Sequence, residues 1–387
     1  MSQQQLPVAL RGARIFTGAD WLEGYALLLD SGRVAGCVDE QAIPAGYTPH
    51  SLEGGMLVPG LVDVQVNGGG GVLFNDQPDI AGLRTMMAAH RAHGTTAMLP
   101  TLITDTDASM LQAIAVIKQA RRESLPGIAG IHLEGPYLNV GKKGVHRASQ
   151  IRVMDAEHRD WLLALAELGS VVLTLAPEQL PDLAWITAFA ERGMRVCAGH
   201  TLADYGVMRA ALQHGVAGFT HLFNAMSGMQ SRDPGVVGAA LEDAISWCGL
   251  IVDGHHVHPA SLKVAIRAKV RGKMMLVTDA MHTVGVAGEE FALLGEAIYR
   301  QDGCLKTADG TLAGSDLGML EAVRNSVEML GLPLEEALRM GSLYPAQFLR
   351  RQELGHLHKG AQADVLWLSE ALQLRSSWIG GVAEHYC

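Results

Sequence analysis

The chain has 387 residues, a net charge of −10 at pH 7 and 5% aromatic residues, and this length fits one large domain with a minor one. The negative charge argues against nucleic acid as a partner, and the lack of an 18-residue apolar run or a basic, apolar leader predicts neither a membrane span nor a signal peptide. Five scattered cysteines without a CxxC pair argue against a disulfide framework and favour the cytoplasm.

Residues 1–58 are predicted to form the first part of a small β domain. The apolar stretches 8–16 and 26–30 have the composition of strands, and Asp30-Ser31-Gly32 predicts a turn between the second strand and the next. No helical period occurs in this region. We therefore expect only strands and turns before residue 59.

Residues 59–350 are predicted to form a barrel, because short apolar runs alternate with stretches of helical period. Eight continuous apolar runs favour a (β/α)₈ barrel. A doubly wound sheet would need a GxGxxG helix start, and none follows the glycines at 68–71. The eight predicted strands are 61–66, 95–100, 128–133, 171–176, 194–199, 217–220, 248–252 and 274–278.

The pattern breaks after the eighth run. Residues 281–310 are rich in glycine and polar residues, which predicts an inserted hairpin or lid, and helices are expected at 318–330 and 335–351. The tail, 351–387, returns to strand character at 355–357, 363–368 and 377–379. The predicted fold is therefore an α/β, TIM-like barrel with a small β-sandwich domain built from both chain ends.

Polar side chains close several of the predicted barrel strands. In a barrel of this kind the βα loops converge at the C-terminal ends of the strands, so residues at these ends are expected to meet at one rim. The residues that end strands in this way are Gln65, Asn67, Glu134, His200, His221 and Asp279.

Glu134, His200 and His221 make up a set of two histidines and one carboxylate, which is the ligand count of a catalytic zinc site. A lone histidine is more often a core residue hydrogen-bonded to a carbonyl, but three such residues at strand ends favour a metal site. Imidazole and carboxylate suit Fe²⁺ as well as Zn²⁺. Asp279 is not needed for this set and can act as a proton acceptor, the alternatives being a helix cap or a buried ion pair.

Nine stretches spread over nearly the whole chain resemble the amidohydrolase superfamily, and within it the N-acetylglucosamine-6-phosphate deacetylases. The HLEGP, THLFNAM and DGxH stretches are together specific. The matching stretches are PGLVDVQVNG (59–68), HLEGPYLNVGKKGVH (132–146), GHT (199–201), THLFNAM (220–226), SRDPGVVG (231–238), VDGHHV (252–257), LVTDA (276–280), TLAGS (311–315) and GxLxxGxxAD (355–364).

The resemblance implies a role for each matching residue. It implies a metal ion held by the predicted set, Asp279 as general base and then general acid, and His146 polarising the acetyl carbonyl. It implies that Arg232, His256 and two backbone groups bind the sugar phosphate, one of them from a neighbouring subunit, so a homodimer is expected. The residues expected to bind the substrate are Arg232 and His256, the backbone of Asn224 and Ala225, and Val145, Leu312, Ala313, Gly314 and Ser315.

The chain departs from the wider superfamily on the first barrel strand. Many amidohydrolases carry HxH there and hold two metals, whereas this chain has Gln65 and Asn67. Amide side chains are poor ligands for a divalent ion. We therefore expect one metal per subunit, Zn²⁺ or else Fe²⁺, with these two amides in a supporting role.

The predicted function is a metal-dependent, cytoplasmic deacetylase that converts N-acetyl-D-glucosamine 6-phosphate to D-glucosamine 6-phosphate and acetate in amino-sugar catabolism. One alternative is the same reaction on the galactosamine epimer. A second is an amidohydrolase for a cyclic amide or ureide, against which the missing HxH counts. A third is a scaffold that has lost its metal, against which the retained Glu134, His200, His221 and Asp279 count.

Overall fold

The computed structural model describes residues 6–293 and 295–386, with side chains except at 166 and 167. The N-terminal region forms strands and one short 3-10 turn at Glu40–Ala42. One sheet has the strand order β5-β4-β1-β6. The strands are β1 (Val8–Arg11), β2 (Arg14–Phe16), β3 (Trp21–Leu22), β4 (Tyr25–Asp30), β5 (Arg33–Asp39), β6 (Thr48–Ser51) and β7 (Met56–Pro59).

The central part of the chain is an eight-stranded parallel barrel with helices between its strands. All eight predicted strands are present. The elements are β8 (Leu61–Val66), the hairpin β9 (Gly68–Gly69) and β10 (Val72–Leu73), α1 (Ile80–Arg91), β11 (Thr95–Ile103), α2 (Asp107–Arg122), β12 (Gly130–Glu134), α3 (Ala156–Leu163), β13 (Ser170–Leu175), α4 (Ala184–Glu191), β14 (Arg195–Ala198), α5 (Tyr205–Gln213), β15 (Gly218–Phe219), α6 (Gly235–Glu242), β16 (Trp247–Leu250), α7 (Pro259–Ala268) and β17 (Met274–Leu276). Short 3-10 turns lie at Val140–Lys142, Ala148–Gln150, Ala164–Leu168 and Pro177–Gln179.

The sheet runs β17-β16-β15-β14-β13-β12-β11-β8, so consecutive strands are neighbours. The backbone N–H of Asp279 donates to the carbonyl of Gln65 at 3.0 Å, and that of Asn67 donates to Ala280 at 2.9 Å. These bonds bring the segment after the last strand against the first strand. The barrel therefore closes beside two of the predicted site residues.

Several barrel helices begin at a side-chain cap. Asp79, Thr106, Asp155 and Asp204 each accept a hydrogen bond from the backbone N–H three residues ahead, at the start of α1, α2, α3 and α5. Such caps satisfy an otherwise unpaired amide and stabilise a helix by about 1 kcal/mol. They fix the residue at which each βα loop ends and the helix begins, and these loops form the rim.

After the barrel the chain forms an inserted sheet, three helices and a terminal β segment. The insert is an antiparallel sheet rather than a single hairpin, and the helix predicted at 335–351 is two helices that meet at Ser342. The elements are β18 (Glu290–Leu293), β19 (Glu296–Gln301), β20 (Cys304–Thr307), β21 (Leu312–Ser315), α8 (Met319–Glu328), α9 (Leu334–Gly341), α10 (Leu343–Phe348), β22 (Val365–Leu368), β23 (Leu374–Ile379) and β24 (Val382–His385).

The two chain ends share one sheet with the order β24-β23-β22-β7-β2-β3. This sheet packs on the N-terminal sheet through a buried cluster that includes Leu10, Leu27, Leu57, Val365 and Trp378. The predicted fold, a TIM-like barrel with a small β-sandwich from both ends, is confirmed. The strand predicted at 355–357 is wrong, because that segment is a bend followed by irregular chain.

The predicted domain boundaries, 1–58, 59–350 and 351–387, remain a prediction, and residues 1–5 and Cys387 lie outside the described residues. The four cysteines that the structure describes are free thiols. None of the described helices combines the length and the hydrophobicity that a membrane crossing requires.

We expect Gly130→Ala to destabilise the barrel. A Cβ atom at Gly130 would lie 1.9 Å from the carbonyl oxygen of Ser170 on the neighbouring strand, so β12 and β13 would have to separate. The free energy of unfolding should fall by about 1–3 kcal/mol, as for other overpacked cores. Urea unfolding of the purified variant measures it.

Gly228→Ala is the matched control, because Gly228 is exposed and a Cβ there meets nothing within 4 Å. Equal unfolding midpoints for the two variants would show that the close approach of β12 and β13 is not as described.

Candidate active site

Four predicted site residues lie at the C-terminal rim of the barrel. Glu134 is the last residue of β12, and His200, His221 and Asp279 follow β14, β15 and β17 within three residues. His200, His221 and Asp279 have positive φ angles of 49°, 33° and 52°. Non-glycine residues rarely adopt this conformation, which costs about 1–3 kcal/mol and is concentrated at functional sites. The rim therefore holds three of these residues in strained backbone positions.

Glu134, His200 and His221 converge on one point. His221 Nε2 lies 3.1 Å from Glu134 Oε1 and 3.0 Å from His200 Nε2, and His200 Nε2 lies 3.2 Å from the same carboxylate oxygen. All three side chains are buried. Within the described residues, they are the one group of three or more histidine, cysteine or acidic side chains close enough to hold a metal ion.

The hydrogen bonds around this group fit a cation. His200 Nδ1 lies 2.7 Å from the carbonyl oxygen of Lys142, so the Nδ1 proton is donated there and Nε2 of the neutral ring presents a lone pair. That lone pair faces His221 Nε2 and the Glu134 carboxylate, which are also acceptors when the metal ligands are deprotonated. Two imidazoles and a carboxylate are the donor set of zinc hydrolases, and they suit iron as well.

The pKa shifts show how much positive charge the group attracts. Burial alone would raise the pKa of Glu134, but hydrogen bonds and charge from His200 and His221 outweigh it and hold the pKa well below its usual value. Burial lowers the pKa of His221, yet its bond to Glu134 and the nearby carboxylates raise it overall. The group therefore favours positive charge at the point where a divalent ion would bind.

Asp279 lies beside this group and is held by two amides. Its Oδ1 accepts hydrogen bonds from Gln65 Nε2 at 3.1 Å and from Asn67 Nδ2 at 2.7 Å, while Gln65 Nε2 also lies 3.2 Å from both oxygens of Glu134. Carboxylates only accept, so both amides present N–H groups to the site. Burial, followed by the charge of Glu134, raises the pKa of Asp279. A carboxyl in this position can accept a proton and return it.

His146 reaches the site from the loop after β12. Its Nδ1 lies 3.3 Å from the backbone N of Thr104, which donates to it, and 2.8 Å from the Thr104 hydroxyl. Burial and the neighbouring His200 lower its pKa to about 3, so the ring is neutral. Because Nδ1 accepts the backbone proton, Nε2 carries the ring's own proton. His146 therefore offers one N–H donor on its other side.

A cavity of about 370 Å³ lies over these side chains. It is lined by the metal-binding group, Asn67, His146, Asp279 and several residues expected to bind the substrate. Those expected residues are Val145, Asn224, Ala225, His256, Leu312 and Gly314. Six other lining residues were not predicted as site residues, although four of them lie within the quoted motifs and one directly follows a motif. The six are Ile103, Gly141, Lys142, Gly144, Met281 and Thr311.

Three predicted substrate residues do not line the cavity. Ala313 and Ser315 are buried behind it, where the Ser315 hydroxyl donates to the carbonyl of Thr278 at 2.5 Å. Arg232 is exposed in the loop before α6. The structure therefore brings His256 to the cavity but not Arg232 of the same chain.

His256 is oriented by an acidic neighbour. Its Nδ1 donates to Asp253 Oδ2 at 2.6 Å, and the backbone N–H of His256 donates to Asp253 Oδ1 at 2.9 Å. Burial would raise the pKa of Asp253, but its bond to His256 and the charge of that ring hold it at about 2. Nε2 of His256 is therefore the atom left to meet a ligand.

A parallel barrel with a buried carboxylate and two imidazoles at its C-terminal rim defines the class of barrel hydrolases. Residues 56–381 match the model of the amidohydrolase family, and residues 8–57 match that of the NagA composite domain. The chain belongs to the amidohydrolase family.

Three proteins similar to this chain carry the names of deacetylases of N-acetylhexosamine 6-phosphates. The chain is 42% identical to an N-acetylgalactosamine-6-phosphate deacetylase of Shewanella sp. (strain ANA-3), over 96% of this chain and 94% of the relative. A solved N-acetylglucosamine-6-phosphate deacetylase from Pasteurella multocida is 34% identical, with a TM-score of 0.94 over 98% of this chain and all of the other. A solved variant of the N-acetyl-D-glucosamine-6-phosphate deacetylase from Mycobacterium smegmatis, in complex with N-acetyl-D-glucosamine-6-phosphate, is 31% identical to this chain. Its TM-score is 0.89 over 98% of each chain.

Proposed function

We propose that this chain is a metal-dependent deacetylase that hydrolyses the amide of N-acetyl-D-glucosamine 6-phosphate to give acetate and D-glucosamine 6-phosphate. The observation that carries the proposal is the buried Glu134, His200 and His221 group with Asp279 directly beside it. The Shewanella and Pasteurella relatives, which match nearly the whole chain, carry the names of deacetylases of N-acetylhexosamine 6-phosphates. We also propose a cytoplasmic location, which the four free thiols support.

The proposed metal ion is held by Glu134, His200 and His221, with Zn²⁺ favoured and Fe²⁺ the alternative. When bound, it supplies a Lewis acid that lowers the pKa of water and polarises the amide carbonyl. Gln65 and Asn67 direct N–H groups at Asp279, and amide side chains are poor ligands for a second divalent ion. We therefore propose one ion per chain.

Asp279 is proposed to move the proton. Its raised pKa and its place beside the metal-binding group suit it to take a proton from the attacking water and then deliver it to the nitrogen of the leaving amine. The second step is essential because an amine anion is a very poor leaving group. Gln65 and Asn67 aim the carboxylate by holding the same oxygen from two sides.

His146 is proposed to bind the acetyl oxygen. As a neutral ring with its proton on Nε2, it can donate a hydrogen bond to the negative charge that develops on that oxygen. Thr104 fixes the tautomer that makes this possible. The donor is preorganised, so no rotation is needed as the charge develops.

The phosphate is proposed to bind at the opposite side of the cavity, near His256, Asn224 and Ala225. Arg232 is exposed in its own chain, so it is proposed to bind the phosphate in the site of a second copy of the chain. Its planar guanidinium can bind two phosphate oxygens at once. A homodimer that exchanges this arginine is therefore part of the proposal, as is substrate contact by Val145, Leu312 and Gly314, which line the cavity.

N-acetyl-D-galactosamine 6-phosphate is a second candidate substrate. The Shewanella relative, at 42% identity, carries the name of the galactosamine enzyme. The two sugars differ in the orientation of one hydroxyl group, so both place the same amide and phosphate in the site. The reaction and the residue roles are the same for either epimer.

We expect Asp279→Asn to lower kcat by roughly 10²–10⁴-fold, because an amide cannot accept or return the proton. Asn keeps the shape of the side chain, so the metal content should stay at the native level. Steady-state kinetics with metal analysis of the same preparation measures both. Asp20→Asn, in an exposed turn of the small domain, is the control. Near-native turnover of Asp279→Asn would exclude the proposed role.

Acetate release from the two N-acetylhexosamine 6-phosphates and from unphosphorylated N-acetyl-D-glucosamine tests the substrate. We expect removal of the phosphate to lower kcat/KM at least about tenfold, because charge-assisted hydrogen bonds are lost. A chelator should abolish turnover, and added Zn²⁺ or Fe²⁺ should restore it. Higher kcat/KM for the galactosamine epimer would select the second candidate, and release that survives full metal removal would contradict the metal-dependent mechanism.

A further inference from the structure

Glu178 is an acidic side chain that the proposed mechanism does not use. It lies in the 3-10 turn Pro177–Gln179 that follows β13. Its Oε1 accepts hydrogen bonds from the Asn139 side chain at 2.9 Å and from the backbone N–H of Leu202 at 2.7 Å, and its Oε2 accepts one from the Thr201 hydroxyl at 2.5 Å. One carboxylate therefore connects two loops. The loop with Asn139 follows β12, the strand that ends at Glu134, and the loop with Thr201 and Leu202 follows β14 and His200.

The Asn139 loop reaches the metal-binding group through a short series of hydrogen bonds. The backbone N–H of Asn139 donates to the carbonyl of His200 at 2.9 Å, and the N–H of Lys142 donates to the carbonyl of Asn139 at 2.9 Å. The carbonyl of Lys142 then accepts the Nδ1 proton of His200 at 2.7 Å. The loop thus holds both the backbone and the ring of His200.

This bond determines what His200 presents to a metal ion. Donation of the Nδ1 proton to Lys142 fixes the tautomer in which Nε2 is unprotonated and directs that atom toward Glu134. Partners of this kind orient metal-binding histidines and raise their basicity, and their loss typically costs 10–100-fold in metal affinity. Bonds to an ionised carboxylate are stronger than bonds between neutral groups, so Glu178 is the strongest acceptor in this chain of contacts.

The same loop continues to the substrate side of the site. Lys142, Gly144, Val145 and His146 all line the cavity. A loop that is fixed at one end by Glu178 and His200 is therefore also the one that presents His146. The His146 ring itself is held by Thr104, so the contacts of Glu178 act on the metal-binding group rather than on His146.

We infer that Glu178 is a positioning residue that sets the metal affinity of the site, through the 139–142 loop and the ring of His200. The inference rests on the proposed metal-dependent function. It assigns Glu178 no contact with the substrate or with the metal ion. Loss of its carboxylate loosens the Lys142 carbonyl, and His200 then loses its fixed tautomer and orientation.

The test is direct titration of the metal-free protein with Zn²⁺ in competition with a chromophoric chelator. We expect Glu178→Ala to raise the apparent Kd for Zn²⁺ by roughly 10–100-fold. Glu178→Gln should give a smaller increase, because its amide oxygen can still accept from Asn139 and Leu202 but carries no charge. At saturating Zn²⁺, kcat should stay within about threefold of native, since no group that takes part in the chemistry is removed.

Glu191→Ala is the matched control, because Glu191 is an exposed glutamate at the end of α4. Its Kd for Zn²⁺ should equal the native value. Urea unfolding of all metal-free variants separates affinity from stability. If Glu178→Ala does not fold, Glu178→Gln and Thr201→Val, which removes the hydroxyl donor, provide the same comparison.

An unchanged Kd for Zn²⁺ in a folded Glu178→Ala variant would overturn the inference, even if the unfolding midpoint falls. If that variant does not fold, an unchanged Kd in both Glu178→Gln and Thr201→Val would do the same. That result would make Glu178 a structural tie between loops. Failure of the proposed function is a separate observation, because the native protein would then bind no Zn²⁺ or release no acetate. A native protein that binds Zn²⁺ and deacetylates, with Glu178 variants of equal affinity, would contradict this inference alone.

Discussion

The carboxylate of Glu134 is buried at the rim of the barrel with two imidazoles and one amide directed at it. An isolated charge in this position would cost several kcal/mol, so the site requires positive charge beside it. A proton on His221 can supply part of that charge, and a divalent ion can supply it fully. The neighbouring Asp279 depends on the same balance, because the charge of Glu134 helps to raise its pKa. The remainder of the site is arranged around this one buried anion.

The barrel makes the arrangement possible by bringing distant parts of the chain to one rim. The strands that carry Glu134, His200, His221 and Asp279 are neighbours or near neighbours in a closed sheet. The backbone turns sharply after three of them, with positive φ angles at His200, His221 and Asp279. These angles cost free energy that the rest of the fold must offset, which is typical of functional sites. The same rigid rim also places the amides of the first strand against Asp279.

Much of the fold and the centre of the site could be predicted from the sequence, because both rest on local patterns. Continuous apolar runs gave all eight barrel strands, and the polar residue that ends a run marked Glu134, His200 and His221. The helix predicted at 335–351 is divided because Pro345 has no N–H to donate to Gly341 and the Ser342 hydroxyl bonds back to Leu338 at 2.6 Å. The strand predicted at 355–357 fails because Gly355 has a φ of +77° and packs against the backbone of Ser342.

Other features of the site have no signal in a single sequence. The carbonyl of Lys142 orients His200, and a backbone acceptor is not encoded by residue type. Thr104 and Glu178 act through hydrogen bonds between segments far apart in the chain. Arg232 matches a motif, yet the structure of one chain leaves it exposed, since a motif does not tell which subunit a residue serves. Prediction therefore reached the residues at the centre of the site more readily than those that orient them.

The proposed mechanism depends on one divalent ion shared by three side chains, Glu134, His200 and His221. The most direct test is anomalous diffraction at the zinc and iron absorption edges from crystals of the native protein, with metal analysis of the same preparation. We expect one anomalous peak per chain, within bonding distance of Glu134, His200 and His221, and one equivalent of metal. A peak elsewhere, or full activity in protein with no metal at these residues, would contradict it.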